Sequence, residues 1–218
     1  METSTRQEVM DRLRDLPTAA ISDALDRGGI SGALHGLSSL SNDFRAVGPA
    51  FTVRYAPIDG TVGDFLDDVP PGAVIVIDNG ARTDVTVWGG IMTEVAAVRG
   101  IAGTVINGAC RDVSASLAQN YPIFSRGRFM RTGKDRVSLA AIGEPVTVSG
   151  VEICPGTLMC ADADGVVAVP AAEAERVIET AERIERVEAG IVAAVRAGGT
   201  LRQARETFGY HTLQTRRS

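Results

Sequence analysis

From Trp88 to Asp112 the chain reads Trp-Gly-Gly-Ile-Met-Thr-Glu-Val-Ala-Ala-Val-Arg-Gly-Ile-Ala-Gly-Thr-Val-Ile-Asn-Gly-Ala-Cys-Arg-Asp. Two glycines open an apolar helical pattern in which Ile91, Val95 and Val98 share one face, beside Ala96 and Ala97. Gly100 ends the helix. Thr104, Val105 and Ile106 form a β-branched run between Gly103 and Gly108, which predicts a buried strand. Arg111 and Asp112 follow directly, at the carboxyl end of that strand, where open α/β folds bind ligands.

The chemistry of this unit is specific. A helix N-terminus presents unpaired N–H groups and the positive end of a dipole, which suits an anion. Gly89 and Gly90 keep side chains away from those amides. Arg111 offers a planar, permanently charged fork for a carboxylate or a polarised oxygen. Asp112 offers a carboxylate for a hard cation such as Mg²⁺. The same spacing also fits a helix start followed by a surface ion pair, so the residues alone leave a structural reading open.

Gly90, twenty intervening residues and then Arg111-Asp112 resemble the G-x20-R-D signature of the RraA-like proteins. The resemblance extends to Ile21-Ser22-Asp23-Ala24-Leu25, Gly48-Pro49-Ala50, Pro71-Gly72-Ala73-Val74, Phe124-Ser125-Arg126-Gly127 and Asp164-Gly165-Val166-Val167, and covers roughly residues 18 to 170. That family contains metal-dependent 4-hydroxy-4-methyl-2-oxoglutarate / 4-carboxy-4-hydroxy-2-oxoadipate aldolases and regulators of ribonuclease E activity. The resemblance implies an α/β fold, a β-β-α layered sandwich of the swivelling-domain type with N- and C-terminal helices. It implies a homotrimer or homohexamer with sites near subunit contacts. It implies that Asp112 holds Mg²⁺ or Mn²⁺, that Arg111 binds the keto oxygen, and that Gly89 and the amides of Gly90, Ile91 and Met92 receive the carboxylate of a 2-oxo acid.

The expected function is therefore a lyase that performs retro-aldol cleavage of a 4-hydroxy-2-oxo diacid to pyruvate, decarboxylates oxaloacetate, or does both through an enolate. The alternative is a non-catalytic regulator that binds a ribonuclease. Two departures bear on this choice. Aldolases of the family tend to carry Asp where this chain has Gly90, and the family's acidic residue three places after the Arg-Asp aspartate is here Ala115. The metal and anion parts are in place, while the acid–base partner is not identified.

Composition narrows the field. The 218 residues fit one domain, with a core of about 18–170, a long helix of about 171–197 and a short final helix and tail over 200–218. With 22 basic and 27 acidic residues, net charge −5, the chain has no electrostatic footprint for nucleic acid. No run approaches the roughly 18 apolar residues that would span a membrane, and the N-terminus lacks a signal-peptide core, so a cytoplasmic protein is expected. Cys110, Cys154 and Cys160 are an odd, widely spaced set that predicts free thiols, with Cys110 a small buried hydrophobe. Lys134 is the only lysine and lies in a polar turn, which disfavours a Schiff base. With His35 and His211 as the only histidines, a three-histidine zinc site is excluded, and Mg²⁺ or Mn²⁺ fits better.

The remaining elements follow from periodicity and turn signals. Helices are expected over 6–16, with Val9, Met10, Leu13 and Leu16 inward, and over Thr18 to Arg27, ended by Gly28-Gly29. Residues 30 to 46 read as a long connection. Strands are expected at 51–55 and 73–77, the second closed by Asp78-Asn79-Gly80, then at 122–124, 146–148, 151–154, 158–160 and 166–169. Asp64, Asp67 and Asp68 around Phe65-Leu66 resemble a metal cluster but read better as a short helix with a solvated acidic face. Asp162 to Gly165 reads as a tight turn. In the long helix, Val177, Ala181, Ile184, Glu188, Ile191 and Val195 form one stripe, with Glu179–Arg183 and Glu182–Arg186 as favourable pairs four apart. Thr200 with Gln203 predicts a capping box, and the tail from Gly209 is expected to be mobile.

Overall fold

A computed structural model describes residues 3–58, 60, 62 and 64–210 of the chain; all but the first two residues of the expected mobile tail, and His211, lie outside the described residues. The chain forms two compact units, one from its two ends, 1–32 and 172–218, and one from 33–171.

The unit built from the ends is helical. It contains α1 (Thr3–Asp15), α2 (Thr18–Arg27), α5 (Ala174–Arg196) and α6 (Leu201–Thr207), with a 3-10 turn at Ala171–Glu173 leading into α5. The expected apolar stripe of α1 is buried at Val9, Met10, Leu13 and Leu16. Gly28 caps α2, and Gly29 at φ 68° turns the chain away. Along α5 the buried residues are Ala174, Val177, Ile178, Ala181, Ile184 and Ile191, while Val195 is exposed. Thr200 and Gln203 form the capping box of α6. The expected Glu182–Arg186 pair is superseded. The Arg12 guanidinium on α1 grips both Glu182 oxygens at 2.7 and 3.0 Å, and a two-pronged fork outcompetes a flexible single contact.

The central unit is a mixed sheet with helices, the expected α/β class. Its strands are β1 (Ala33–Leu34), β2 (Ser38–Ser39), β3 (Ala46–Ala56), β4 (Val74–Thr86), β5 (Gly103–Cys110), β6 (Ile123–Arg128), β7 (Ser138–Ile142), β8 (Val146–Val148), β9 (Val151–Ile153), β10 (Leu158–Asp162) and β11 (Gly165–Val169). The sheet order is β1-β11-β10-β3-β4-β5-β6-β2, with β7 also paired to β3, and β8 and β9 form a separate hairpin. Strands β3, β4, β5 and β6 run parallel. Helix α3 (Gly90–Val98) connects β4 to β5, and α4 (Val113–Ala118) connects β5 to β6. All eight residues of β5 are buried, as expected of a strand covered on both faces. The core gathers Val74 to Ile77, Val105, Ile106, Ile123 and Phe124 with Val146, Val148, Val151 and Ile153 of the hairpin.

Three expectations change here. The connection over 30–46 contains β1 and β2, two-residue bridges at the sheet margins that are too short to carry a period. Strand β4 does not close at Gly80. Gly80 (φ 60°) and Ala81 (φ 58°) make a left-handed excursion, after which pairing with β5 resumes at Arg82 and Thr86. Strand β7 was not anticipated. The Asp162–Gly165 turn is present, with the Asp164 amide donating to Asp162 Oδ1 at 3.0 Å. Among the described residues no helix is long and apolar enough to cross a membrane.

Candidate active site

The loops that leave β4 and β5 at their carboxyl ends face each other. Between β4 and α3 stand Val87, Trp88 and Gly89; between β5 and α4 stand Arg111 and Asp112. They line a cleft of about 310 Å³ together with Val62, Asp64, Thr86, Gly90, Ile91, Met92 and Thr132. Every residue expected to take part, Gly89, Gly90, Ile91, Met92, Arg111 and Asp112, is therefore on one wall of one cleft.

The wall is held by short-range bonds. The Gly90 amide donates to Asp112 Oδ2 at 2.8 Å, so the carboxylate sits on the N-terminus of α3. Arg111 Nε lies 3.5 Å from the same oxygen. The Arg111 amide donates to the Trp88 carbonyl at 3.2 Å, which ties the two loops together. Trp88 is buried; its Nε1–H donates to Thr93 Oγ1 at 3.0 Å, and its ring stacks on Tyr121 at 6.0 Å. Asp112 adopts φ 57°, ψ 43°, a left-handed conformation that costs a non-glycine residue roughly 1–2 kcal/mol. Such strain concentrates where a side chain must be aimed. Arg111 and Asp112 keep 38% and 49% of their side-chain surface exposed, so the pair faces solvent and does not brace the core.

The two glycines have different roles. Gly89 has ordinary extended backbone, but a Cβ there would come within 2.9 Å of Asp112 Oδ2 and 3.1 Å of Arg111 Nε. A side chain there would displace the Arg111 and Asp112 groups that form the site. A Cβ at Gly90 would meet Asp112 and Ala115 at 3.5–3.6 Å, an ordinary contact. The two departures at Gly90 and Ala115 therefore fall side by side, next to Asp112.

The apolar face of α3 is not buried as one stripe, and of its three residues Val95 alone packs, partly buried, against the core. Ile91 and Val98 are 84% and 87% exposed, and the buried residues of α3 are Thr93 and Ala96. The bonds of Gly90 and Thr93 to the cleft loops fix the rotation of the helix, and small Ala96 sets it close to the sheet. Asp64, Thr86 and Thr132 were missed as cleft residues. The signal for Asp64 was the acidic cluster, but Asp64, Asp67 and Asp68 divide. Asp67 pairs with Arg99 across an exposed surface, whereas Asp64 lines the cleft.

Other candidates fall away from the site. His35 and Lys134 are exposed and do not line the cleft. Cys110 and Cys160 are buried free thiols whose pKa is pushed up by burial, that of Cys160 to about 12. Neither is an activated thiolate.

Comparison with known proteins gives the family and the fold. Residues 18–168 match the family model of the RraA-like proteins, described as Aldolase/RraA. Protein DlpA of Legionella pneumophila is 39% identical over 216 residues, 96% of this chain, which spans only 35% of DlpA. A Halalkalibacterium halodurans relative named "Putative 4-hydroxy-4-methyl-2-oxoglutarate aldolase" is 38% identical over 81% of this chain and 83% of its own length. An uncharacterised protein from Pseudomonas syringae superposes with a TM-score of 0.87 at 46% identity, covering 91% of this chain and 97% of that one. Streptomyces coelicolor RraAS2, described as an unusual member of the RNase ES inhibitor RraA protein family, gives a TM-score of 0.75 at 28% identity over 83% and 93% of the two chains. This chain belongs to the RraA-like family.

Proposed function

We propose that the chain is a divalent-metal-dependent lyase acting on 2-oxo acids, an aldolase that cleaves a 4-hydroxy-2-oxo diacid and releases pyruvate, with oxaloacetate decarboxylation as a related activity. The observation that carries the reading is the Arg111–Asp112 pair, set in strained, half-exposed geometry against the N-terminus of α3 in the cleft. The name of the Halalkalibacterium halodurans relative supports the aldolase class.

The donors fit Mg²⁺ or Mn²⁺. Side-chain donors on the cleft wall are oxygens, from Asp64, Thr86, Asp112 and Thr132, with no thiol or imidazole among the described lining residues. Among the described residues no group of three or more His, Cys, Asp or Glu forms a cage. A hard cation that keeps most of its waters needs only one protein carboxylate. Asp112 is that ligand, since the Gly90 amide occupies part of one oxygen and leaves the rest of the carboxylate available. When bound, the metal supplies Lewis-acid polarisation of the substrate carbonyl.

The chain's own groups do the rest. Arg111 places its guanidinium beside the keto oxygen and steadies the negative charge that develops there. The amides of Ile91 and Met92, at the start of α3, receive the substrate carboxylate; the Gly90 amide is committed to Asp112 and instead aims the metal ligand. Val62, Val87 and Met92 give the cleft an apolar lining that limits water. The exposed Ile91 at the cleft and Val98 at the other end of α3 are apolar surface that assembly into a homotrimer or homohexamer would cover.

Purified protein incubated with 4-hydroxy-4-methyl-2-oxoglutarate and with oxaloacetate, with Mg²⁺ or Mn²⁺ and then with EDTA, tests the proposal. Pyruvate release that EDTA abolishes is expected. No release from either substrate with either metal contradicts it. The likeness to RraAS2 favours a second reading, a ribonuclease-binding regulator; for it, a pull-down should retain a ribonuclease without added metal, and its failure to do so counts against it.

A further inference from the structure

We infer that Asp64 is the acid–base group of this cleft: its carboxylate takes the proton of the substrate's 4-hydroxyl and returns it to the carbon freed by cleavage. The inference rests on the lyase reading above and supplies the group that reading lacks. Positions 90 and 115 carry no carboxyl group, so the neighbours of Asp112 cannot do this work.

The cleft leaves few choices. Among the described lining residues the titratable groups are Asp64, Arg111 and Asp112. A guanidinium carries no lone pair free to take a proton, so Arg111 cannot be the base. Asp112 is already engaged by the Gly90 amide and faces Arg111, which suits a fixed ligand and not a group that must pass a proton back and forth. Thr86 Oγ1 donates to the Arg131 carbonyl at 3.1 Å, and the Thr132 hydroxyl accepts the Lys134 amide at 3.3 Å; neither alcohol is a base near neutral pH. Asp64 is an exposed carboxylate on the lining.

Asp64 is also positioned. Two residues before it, the Val62 carbonyl accepts the hydroxyl of buried Tyr55. Immediately after it, Phe65 is buried and stacks on Phe51, with ring centroids 6.4 Å apart. The charge of Asp64 adds to burial in pushing the Tyr55 phenol up, so Tyr55 remains a donor to the backbone that carries Asp64. The described residues that flank Asp64 are thus tied to the core, while its own carboxylate is exposed on the cleft lining, where a base must reach the substrate.

The step balances. Asp64 removes the proton from the C4 hydroxyl, and the C4 oxygen's electron pair forms the carbonyl of the departing fragment. The C3–C4 bond breaks, and its pair moves through C3–C2 onto the C2 oxygen, giving the enolate of pyruvate. That enolate collapses to the ketone as C3 takes the proton from Asp64. No oxidant, reductant or further proton is needed. Oxaloacetate decarboxylation has no hydroxyl proton to remove, so it depends on Asp64 only at the second, protonation stage.

The test compares wild type with Asp64→Asn on 4-hydroxy-4-methyl-2-oxoglutarate and on oxaloacetate, both with Mg²⁺, with kcat and KM measured separately and a thermal melt of each protein. Asp64→Asn should melt like wild type and lose about 10²–10⁴-fold in kcat for cleavage with little change in KM. Its decarboxylation should fall at least tenfold less than its cleavage. Equal losses in the two reactions, or a loss of cleavage carried by KM alone, would overturn the assignment while leaving the lyase reading intact. Wild-type decarboxylation without cleavage also overturns it. If wild type is inactive on both substrates, the lyase reading itself has failed.

Discussion

Helices α3 and α5 each carry an apolar stripe in the sequence and bury it to different extents in the fold. In α5 the predicted stripe is buried at Val177, Ala181, Ile184 and Ile191 and exposed at Val195. In α3 only Val95 of the stripe packs, partly buried, against the core, while Ile91 and Val98 at its ends are exposed and Thr93 and Ala96 are buried. The difference lies in what sets each helix's rotation. Helix α5 is free to bury its most apolar face against α1, α2 and α6. Helix α3 is fixed at its first turn by polar bonds to the cleft, Gly90 to Asp112 and Thr93 to Trp88. Where a site dictates the rotation, the apolar residues go wherever the site leaves them, here Ile91 and Val98 to the exposed surface.

Core truncation gives the largest expected contrast. Ile184→Ala on α5 should cost about 2–5 kcal/mol in denaturant unfolding, whereas Ile91→Ala should stay within about 0.5 kcal/mol when measured on the monomeric chain. Equal costs would mean that α3 is rotated inward after all. If a second copy covers Ile91 on α3, as proposed, Ile91→Asp should shift sedimentation toward the 22.9 kDa single chain.

Thr93→Val should come next. It leaves the buried Trp88 N–H without an acceptor and should cost about 1–3 kcal/mol, although it adds apolar surface. A neutral result would show that polar bonding to Trp88 does not set α3. Among the glycines, Gly89→Ala should lower turnover more than Gly90→Ala, because only the former drives a Cβ to 2.9 Å from the Asp112 carboxylate. Steady-state kinetics on the two variants tests this directly, and the reverse order contradicts the geometry.

The smallest effects are on α5 and depend on pH. Burial, then the charges of Glu185 and Asp23, holds the Glu188 carboxyl above the usual range. A carboxyl raised on folding is tolerated in acid and destabilises once pH rises past its folded pKa. Glu188→Gln should therefore raise Tm at pH 7 by about 1–3 °C, with the gain gone below the ordinary glutamate range. Glu182 has the opposite sign: the Arg12 hydrogen bonds lower its pKa, so its contribution is present at neutral pH and lost as pH falls through the folded value. Arg12→Ala should lower Tm at pH 7, and the loss should shrink in acid. Parallel curves at all pH values would contradict both signs.

Much of this was legible in the sequence where one local rule decides. The α2 boundaries, the capping box of α6, the Asp162 turn and the buried β5 each follow from a short-range signal that nothing distant contests. The cleft was legible through Gly89-Gly90 and Arg111-Asp112 because their spacing carries a helix start and a strand end together. What was not legible depends on long-range partners. Resumption of β4 after Gly80-Ala81 requires β5 beside it, the pairing of Glu182 requires Arg12 on another helix, and the separation of Asp64 from Asp67 requires the cleft itself.

The central claim is that Arg111 and Asp112 are a working pair and not a structural ion pair, and metal titration with turnover and melting of Arg111→Lys and Asp112→Asn tests it most directly. Asparagine can still accept the Gly90 amide and tolerates the left-handed backbone, so Asp112→Asn removes the charge while sparing the fold. It should melt close to wild type yet lose metal binding and activity. Arg111→Lys should bind metal and lose about 10²–10³ in rate, because an ammonium cannot reproduce the guanidinium fork. If instead both variants melt far below wild type while the folded fraction keeps full specific activity, the pair is structural and the active site lies elsewhere.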